Sequence, residues 1–434
     1  MDTGDTAWLL TSAALVLLMT PGLAFFYGGM VRARSVLNML MMSFACLGVV
    51  TILWVLYGYS LAFDTDLGTG LLGGFGEMGL GGTLDEVAGT VPTPVFAAFQ
   101  LMFAVLTPAL ISGAIADRAR FGGWVLFTAL WVTLVYFPVA HWVFAFDDGN
   151  GGWIADRLGA LDFAGGTAVH VNAGAAALAL ALVLGRRRGW PRESSRPHNL
   201  PLVLLGAGLL WFGWFGFNAG SAVAANGTAA IAFLNTQAAT AAAVVTWLLV
   251  ERVRDGNPTT LGAASGAVAG LVAITPACAA VSPLGALAVG AAAGALCALA
   301  VGLKYRLMVD DSLDVVGVHL VGGAVGSLLI GLFATEVVTG GPNGLLYGGG
   351  LALLGKQALA VVAVGAYSFV LSFLLGTLVQ KTVGFRLDEE EEVTGVDLVA
   401  HAETAYDLQA LGSGHRAPAA TAGQPSETTR SVTA

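Results

Sequence analysis

Residues 162–174 read DFAGGTAVHVNAG, and the chain then stays apolar as far as Leu184. A carboxylate and an imidazole therefore stand at the head of a run long enough to span a bilayer, whose hydrocarbon core of roughly 30 Å is crossed at about 1.5 Å per helical residue. On a helix running from Phe163 to Leu184, His170 lies about 12 Å below Asp162, near the midplane. Helical spacing puts Gly166, Ala173, Gly174 and Ala177 beside it, a face of small side chains that admits a close backbone or leaves a narrow channel. The arrangement returns at 310–326, DDSLDVVGVHLVGGAVG, where His319 is followed on its own face by Gly322, Gly323 and Gly326. Asp162 precedes His170 by eight positions and Asp310 precedes His319 by nine. Two such spans running in opposite directions bring the imidazoles together between the halves of an inverted repeat.

Composition agrees with a chain that lives in lipid. Of 434 residues, 56% are apolar and 11% charged, too greasy a mixture for a water-soluble globule. The net charge of -9 comes from acidic residues gathered in loops and the tail, so nucleic acid is not an expected ligand. Cys46, Cys278 and Cys297 lie in apolar runs without CxxC spacing and read as small buried residues. No basic stretch precedes Trp8, so the first apolar run is expected to be a true span that inserts with its start outside.

Apolar runs fall near 7–30, 37–63, 95–116, 121–145, 162–185, 200–220, 229–250, 261–280, 284–303, 314–334 and 350–379. That predicts an all-α polytopic membrane protein of about eleven helices. Arg32 and Arg34, Arg118 and Arg120, Arg186–Arg188 with Arg192 and Arg196, Arg252 and Arg254, Lys304 and Arg306, and Lys381 occupy alternate connections. The positive-inside rule makes those connections cytoplasmic, with the N-terminus outside and the C-terminus inside the cell membrane. The opposite set holds the acidic loop of Asp64, Asp66, Glu77, Asp85 and Glu86. An odd number of spans suits a five-plus-five inverted repeat with one helix left over. The halves cover about 7–185 and 200–334, the extra helix is about 350–379, and the whole is a transmembrane domain over 1–383. Residues 384–411 then form a cytoplasmic tail, and 412–434, rich in Ser, Thr, Ala, Gly and Pro, are predicted to be disordered.

Several side chains suit a passage for a small polar species. Neutral imidazoles at 170 and 319 can hydrogen-bond each other and still serve a guest; they can also ligate a haem, although that needs a broad, flat cavity. Phe99, Gln100 and Phe103 in the third span, and Trp214, Phe217 and Ser221 in the sixth, offer ring faces opposite a hydroxyl, which attract a small cation. Such aromatics are as often belt residues. Asp162 reads as an N-cap for Gly165 and Gly166 with an electrostatic role. Thr275 and Pro276 break or bend the eighth span. Asp388–Glu392 has the pattern of a solvated acidic face.

These segments resemble the ammonium transporter (Amt/Rhesus) family along nearly the whole chain. The likeness is carried by PGLAFFYGGMVR at 21–32, FQLMFA at 99–104, DFAGGTAVHVNAG at 162–174, WFGFNAGSA at 214–222, ITPACA at 274–279 and DVVGVHLVGG at 314–323. The resemblance implies an eleven-helix protomer and a homotrimer with one pore per subunit, conducting ammonium or ammonia (methylammonium as analogue) without cofactor or enzymatic turnover. It matches Phe103 and Ser221 to an outer recruitment site, Phe103 and Phe217 to a stacked-ring gate, and His170 and His319 to the twin histidines of the pore. Trp214 and Thr275 match pore-associated positions, and Asp162 the aspartate needed for ammonium binding or deprotonation. Where many members carry a tryptophan in the recruitment site, this chain reads HWVF at 141–144, so Phe144 stands there with a weaker cation attraction and no N–H donor. The tail segments GFRLDEEEE and GVDLVAHAETAY resemble a regulatory C-terminus that meets a PII-class nitrogen-signalling protein.

The physical problem for such a protein is to pass ammonium while rejecting potassium, of equal charge and similar size. A dry passage opposes any intact ion, but ammonium can leave a proton behind and cross as ammonia, which potassium cannot. An ammonium sensor signalling through its tail is the alternative; no kinase or cyclase is read after Val383, which speaks against a self-contained one.

Overall fold

The computed structural model describes residues 1–192 and 196–406. Among them ten helices are long and apolar enough to cross a membrane: α1 Thr3–Met30, α2 Val36–Phe63, α3 Thr93–Ile115, α4 Phe121–Phe144, α5 Gly166–Leu184, α6 Leu200–Gly220, α7 Gly227–Arg254, α9 Pro283–Leu307, α10 Val316–Phe333 and α11 Ala352–Thr382. The eleventh, α8, is shorter than its apolar run, Thr260–Ile274, because the chain leaves the helix at Thr275 and Pro276. A two-residue ladder, β1 Val87–Ala88 with β2 Val91–Pro92, closes the acidic loop.

Local chemistry sets many of the starts. Asn199 accepts from the Leu202 N–H at the head of α6, Thr259 from Gly262 at α8, and Ser282 from Gly285 at α9. Each satisfies one of the N–H groups that a first turn leaves unpaired. Outward faces are apolar: Val245, Val362 and Leu374 are more than half exposed, the inverse of a water-soluble surface.

Packing follows the two halves. The first helix of each, α1 and α6, lie against one another over most of their length, and α5 meets α10. Within the halves, α2 packs on α3 and α4 as α7 packs on α8 and α9, while α11 wraps the outside against α5, α10 and α4. A methyl group on Gly206 would stand 2.2 Å from the Phe26 nitrogen, so α1 and α6 touch backbone to backbone. Dispersion at such short range holds helices together where lipid removes the hydrophobic incentive.

Connections after α1, α3 and α5 and before α10 share one face with the tail. There Arg187 donates to both oxygens of Asp310 at 2.9 and 3.0 Å and to Asp117 at 3.1 Å, and Arg118 donates to Ser312 Oγ and the Asp310 carbonyl. Burial pushes the Asp310 carboxyl up, but its hydrogen bonds to Arg187 and the nearby Arg118 charge outweigh it and hold the group below the ordinary carboxylate range.

The acidic run of the tail is only in part the solvated face its composition suggests: Asp388, Glu389 and Glu390 are exposed, while Glu391 is half-buried and Glu392 buried. It forms α12, Glu389–Thr394, followed by α13, Val396–His401. Glu392 is buried, accepting from the Arg188 N–H at 2.8 Å and from Arg386 at 3.1 Å, while Arg120 binds Asp388 and Glu391. The reason is positional: Arg120 of the loop after α3 and Arg386 of the tail itself meet three of its carboxylates, and the loop after α5 adds a backbone N–H. The expected disordered end, 412–434, lies outside the described residues.

Candidate functional site

The α5 helix does not begin at Phe163. Residues 162–165 are non-helical, Gly165 takes a left-handed φ of 112°, and the first turns, Gly166–Val171, are π-helical. Asp162 is the cause. Its carboxylate accepts from the N–H groups of Gly165 (2.8 Å), Gly166 (2.6 Å), Thr167 (2.7 Å) and Ala168 (3.3 Å) and from the Thr167 hydroxyl at 2.5 Å. The depth expected for His170 therefore fails in its arithmetic, since part of the spacing is spent outside the helix.

The second copy corrects the pairing. Asp310 is taken by Arg187, and Asp311 plays the part of Asp162: it accepts from Val315 at 3.1 Å and Val316 at 2.8 Å, ahead of a second π-helical segment, Val316–Leu320. Asp311 precedes His319 by eight positions, the spacing of Asp162 and His170. Such π turns insert an extra residue and re-aim side chains, frequently at functional sites.

Both histidines point into the seam between α5 and α10. Their Nδ1 atoms are 3.2 Å apart and their rings lie 5.3 Å apart, 23° from parallel. No porphyrin fits between them. The small residues on each histidine's face admit the opposite backbone: a Cβ on Gly174 would lie 2.3 Å from the Leu320 nitrogen, and one on Gly323 2.8 Å from the Gly166 carbonyl and 3.0 Å from His170 Cβ. Each glycine is four residues past its histidine and meets the other histidine's segment, so the contact repeats about a local twofold.

Above the pair, aromatic rings form a column. His170 lies 5.4 Å from Trp214 and 6.1 Å from Phe217, both near parallel, and Phe217 stacks on Phe103 at 4.1 Å and 27°. All are buried, as is Thr275, whose hydroxyl accepts from the Trp214 indole at 2.8 Å and donates to the Leu271 carbonyl at 2.7 Å. His170 Nε2 is buried without a protein partner. That leaves one ring nitrogen free to meet a guest, an arrangement a merely structural histidine rarely shows.

Outside the column opens a cavity of about 840 Å³, lined among others by Phe103, Phe144, Ser221, Gln100, Asp162 and His141. Phe144 stands edge to face with Phe103 at 6.5 Å, and the Ser221 hydroxyl, partly exposed, donates to the Phe217 carbonyl at 2.9 Å. The structure thus brings together every sequence-selected residue except that Asp162 acts through backbone N–H groups at the cavity edge. Sequence reading passed over His141, which lies in the HWVF stretch; the one imidazole in the fourth apolar run was the available signal.

Residues 7–406 match the Ammonium Transporter Family. The chain is 60% identical to an ammonium transporter of Mycobacterium tuberculosis over 96% of this chain and 93% of that one, and 48% identical to an ammonium transporter of Bacillus subtilis over 94% and 99%. The crystal structure of Candida albicans Mep2 superposes with a TM-score of 0.84 at 36% identity, covering 90% of this chain and 88% of that chain. With a family model matched over residues 7–406, relatives of such identity along nearly the whole chain and a shared fold, the chain belongs to the Ammonium Transporter Family.

Proposed function

We propose that the protein carries ammonium across the cell membrane by recruiting the cation outside, stripping one proton, and passing neutral ammonia along the twin-histidine seam. Phe103, Phe144 and Ser221 form the recruiting site, where ring faces supply about 0.5 to 2 kcal/mol each to a partly desolvated cation. The Phe103 and Phe217 stack is the gate. Deprotonation takes place at or below it, with Asp162 fixing the head of α5 and His170 presenting its unpartnered nitrogen; His170 and His319 then line the neutral passage past Trp214 and Thr275. Reprotonation occurs inside. In this reading the N-terminus is outside, the C-terminus inside, the working unit is a homotrimer, and the tail is where a PII-class protein docks.

The observation that carries this reading is the buried Nδ1 to Nδ1 contact of 3.2 Å directly below the stacked phenylalanines. Selectivity comes from it, because a passage of rings and imidazoles offers potassium none of the oxygen ligands it loses on dehydration. Methylammonium uptake and internal pH in proteoliposomes of the purified protein, challenged by ammonium and then potassium, test it. Wild type should respond to ammonium alone, and His170→Asp or His319→Ala should abolish flux or admit potassium. Wild-type selectivity in both variants sinks the pore-histidine reading. Binding without flux in the same proteoliposomes supports an ammonium receptor instead.

A further inference from the structure

One buried histidine of the outer vestibule has no part in recruitment, deprotonation or passage. His141 is fully buried on the final turns of α4, three residues before Phe144. Its ring faces an oxygen at each nitrogen: Nδ1 meets the Ala62 carbonyl at 3.0 Å and Nε2 meets Asp66 Oδ1 at 3.2 Å. The imidazole thus bridges a backbone carbonyl on one edge and a carboxylate on the other. Asp66 is itself gripped. It accepts from the N–H groups of Gly68 and Gly70 at 2.8 Å, and Arg157, from the segment after α4, donates to its other oxygen at 2.6 Å.

The turn that carries Phe144 is thereby pinned from several sides. The His141 ring ties it to the end of α2 and to the outer loop, the adjacent Trp142 indole donates to the Leu71 carbonyl of the same loop at 2.8 Å, and the Gly152 backbone lies so close that a Cβ there would be 2.0 Å from the His141 carbonyl. Beyond it, the Phe144 ring tip lies 3.4 Å from where a Cβ on Gly165 would stand, next to the head of α5. Cation attraction by a ring fades outside about 6 Å of its centroid. A turn free to shift by a fraction of that distance no longer presents Phe144 and Phe103 to the same ion.

We propose that His141, acting through Asp66 and Arg157, is the positioning residue of the outer cation site, holding Phe144 in register with Phe103. This rests on Phe103, Phe144 and Ser221 being the recruiting site.

Initial rates of methylammonium uptake into proteoliposomes, measured against concentration, separate affinity from turnover. His141→Ala is expected to raise KM about tenfold with the limiting rate within about twofold of wild type, and His141→Gln, which keeps a donor for one acceptor, about threefold. Asp66→Asn, which attacks the relay from the loop, should raise KM likewise and decides the matter if the α4 variants do not fold. A role confined to stability lowers the yield of folded protein and the limiting rate and leaves KM alone. Phe144→Ala and Ser221→Ala are measured alongside. If these raise KM while His141→Gln and Asp66→Asn leave it at the wild-type value, the positioning role is wrong and the recruiting site stands. If neither Phe144→Ala nor Ser221→Ala moves KM, the recruiting site is wrong and the inference falls with it.

Discussion

Asp162, Asp310 and Asp311 are chemically alike and sit in nearly repeated sequence, yet the fold gives them different work. Asp162 and Asp311 collect backbone N–H groups ahead of the pore helices, while Asp310 neutralises Arg187. The choice has a pH signature. Because Asp310 is held below the ordinary carboxylate range in the folded protein, its contribution is complete above the unfolded value near pH 4 and is lost as pH falls through the lower folded value. Asp310→Asn is expected to cost about 3 kcal/mol at neutral pH, since it strips a buried guanidinium of its main partner. Thermal unfolding of the solubilised protein should show that deficit at pH 7 and the gap to wild type closing below about pH 4. A gap independent of pH would remove the ion pair from the account.

Two features of α5 and α10 depend on their meeting rather than on either helix. The π-helical turns set the direction of His170 and His319, and the glycines four residues later let the helices approach until those rings touch. Gly174→Ala is therefore expected to destabilise by about 1 to 3 kcal/mol or push α10 away, because the new methyl meets Leu320 backbone that cannot rotate aside. Gly322→Ala, whose nearest neighbour is the Val272 side chain at 3.1 Å, should be milder. Thermal stability and methylammonium flux of the two variants check this, with Gly174→Ala losing the larger part of both. Equal effects would mean that the seam is looser than its backbone contacts require. Helical periodicity placed Gly174 on the face of His170, and in the fold that face meets α10, where His170 touches His319 and Gly174 lies against Leu320.

Across the whole molecule the tail is a strap over the basic face. Asp397 accepts from the N–H groups of Leu37 and Asn38 at 3.0 and 2.8 Å, capping α2 from 359 positions away, and Arg34 donates to the Val393 carbonyl at 2.5 Å. Asp397→Ala should release the strap at a cost of about 1 kcal/mol, the usual worth of a cap. Amide exchange over 388–406 is then expected to quicken about fivefold while α5 and α10 keep their protection. Unchanged exchange in the tail would show that Glu392 and Arg386 hold it without Asp397. The composition of the acidic run was right for Asp388–Glu390, which are exposed, and misled for Glu392, whose burial depends on Arg386 and on a backbone N–H from the loop after α5.

Hydropathy is a sum over neighbours along one helix, so the amino-acid sequence was enough for the eleven apolar runs, the alternate basic connections, the two intramembrane histidines and the rings beside them. Those properties need no knowledge of what lies opposite. Contacts do. That His170 and His319 share a hydrogen bond across 149 positions, that Asp311 rather than Asp310 matches Asp162, and that His141 grips Asp66 were settled only when chains of fixed length bent at Gly165, turned through π-helical segments and closed against one another. A carboxylate takes whichever N–H or cation is brought within reach, and reach is a property of the folded path.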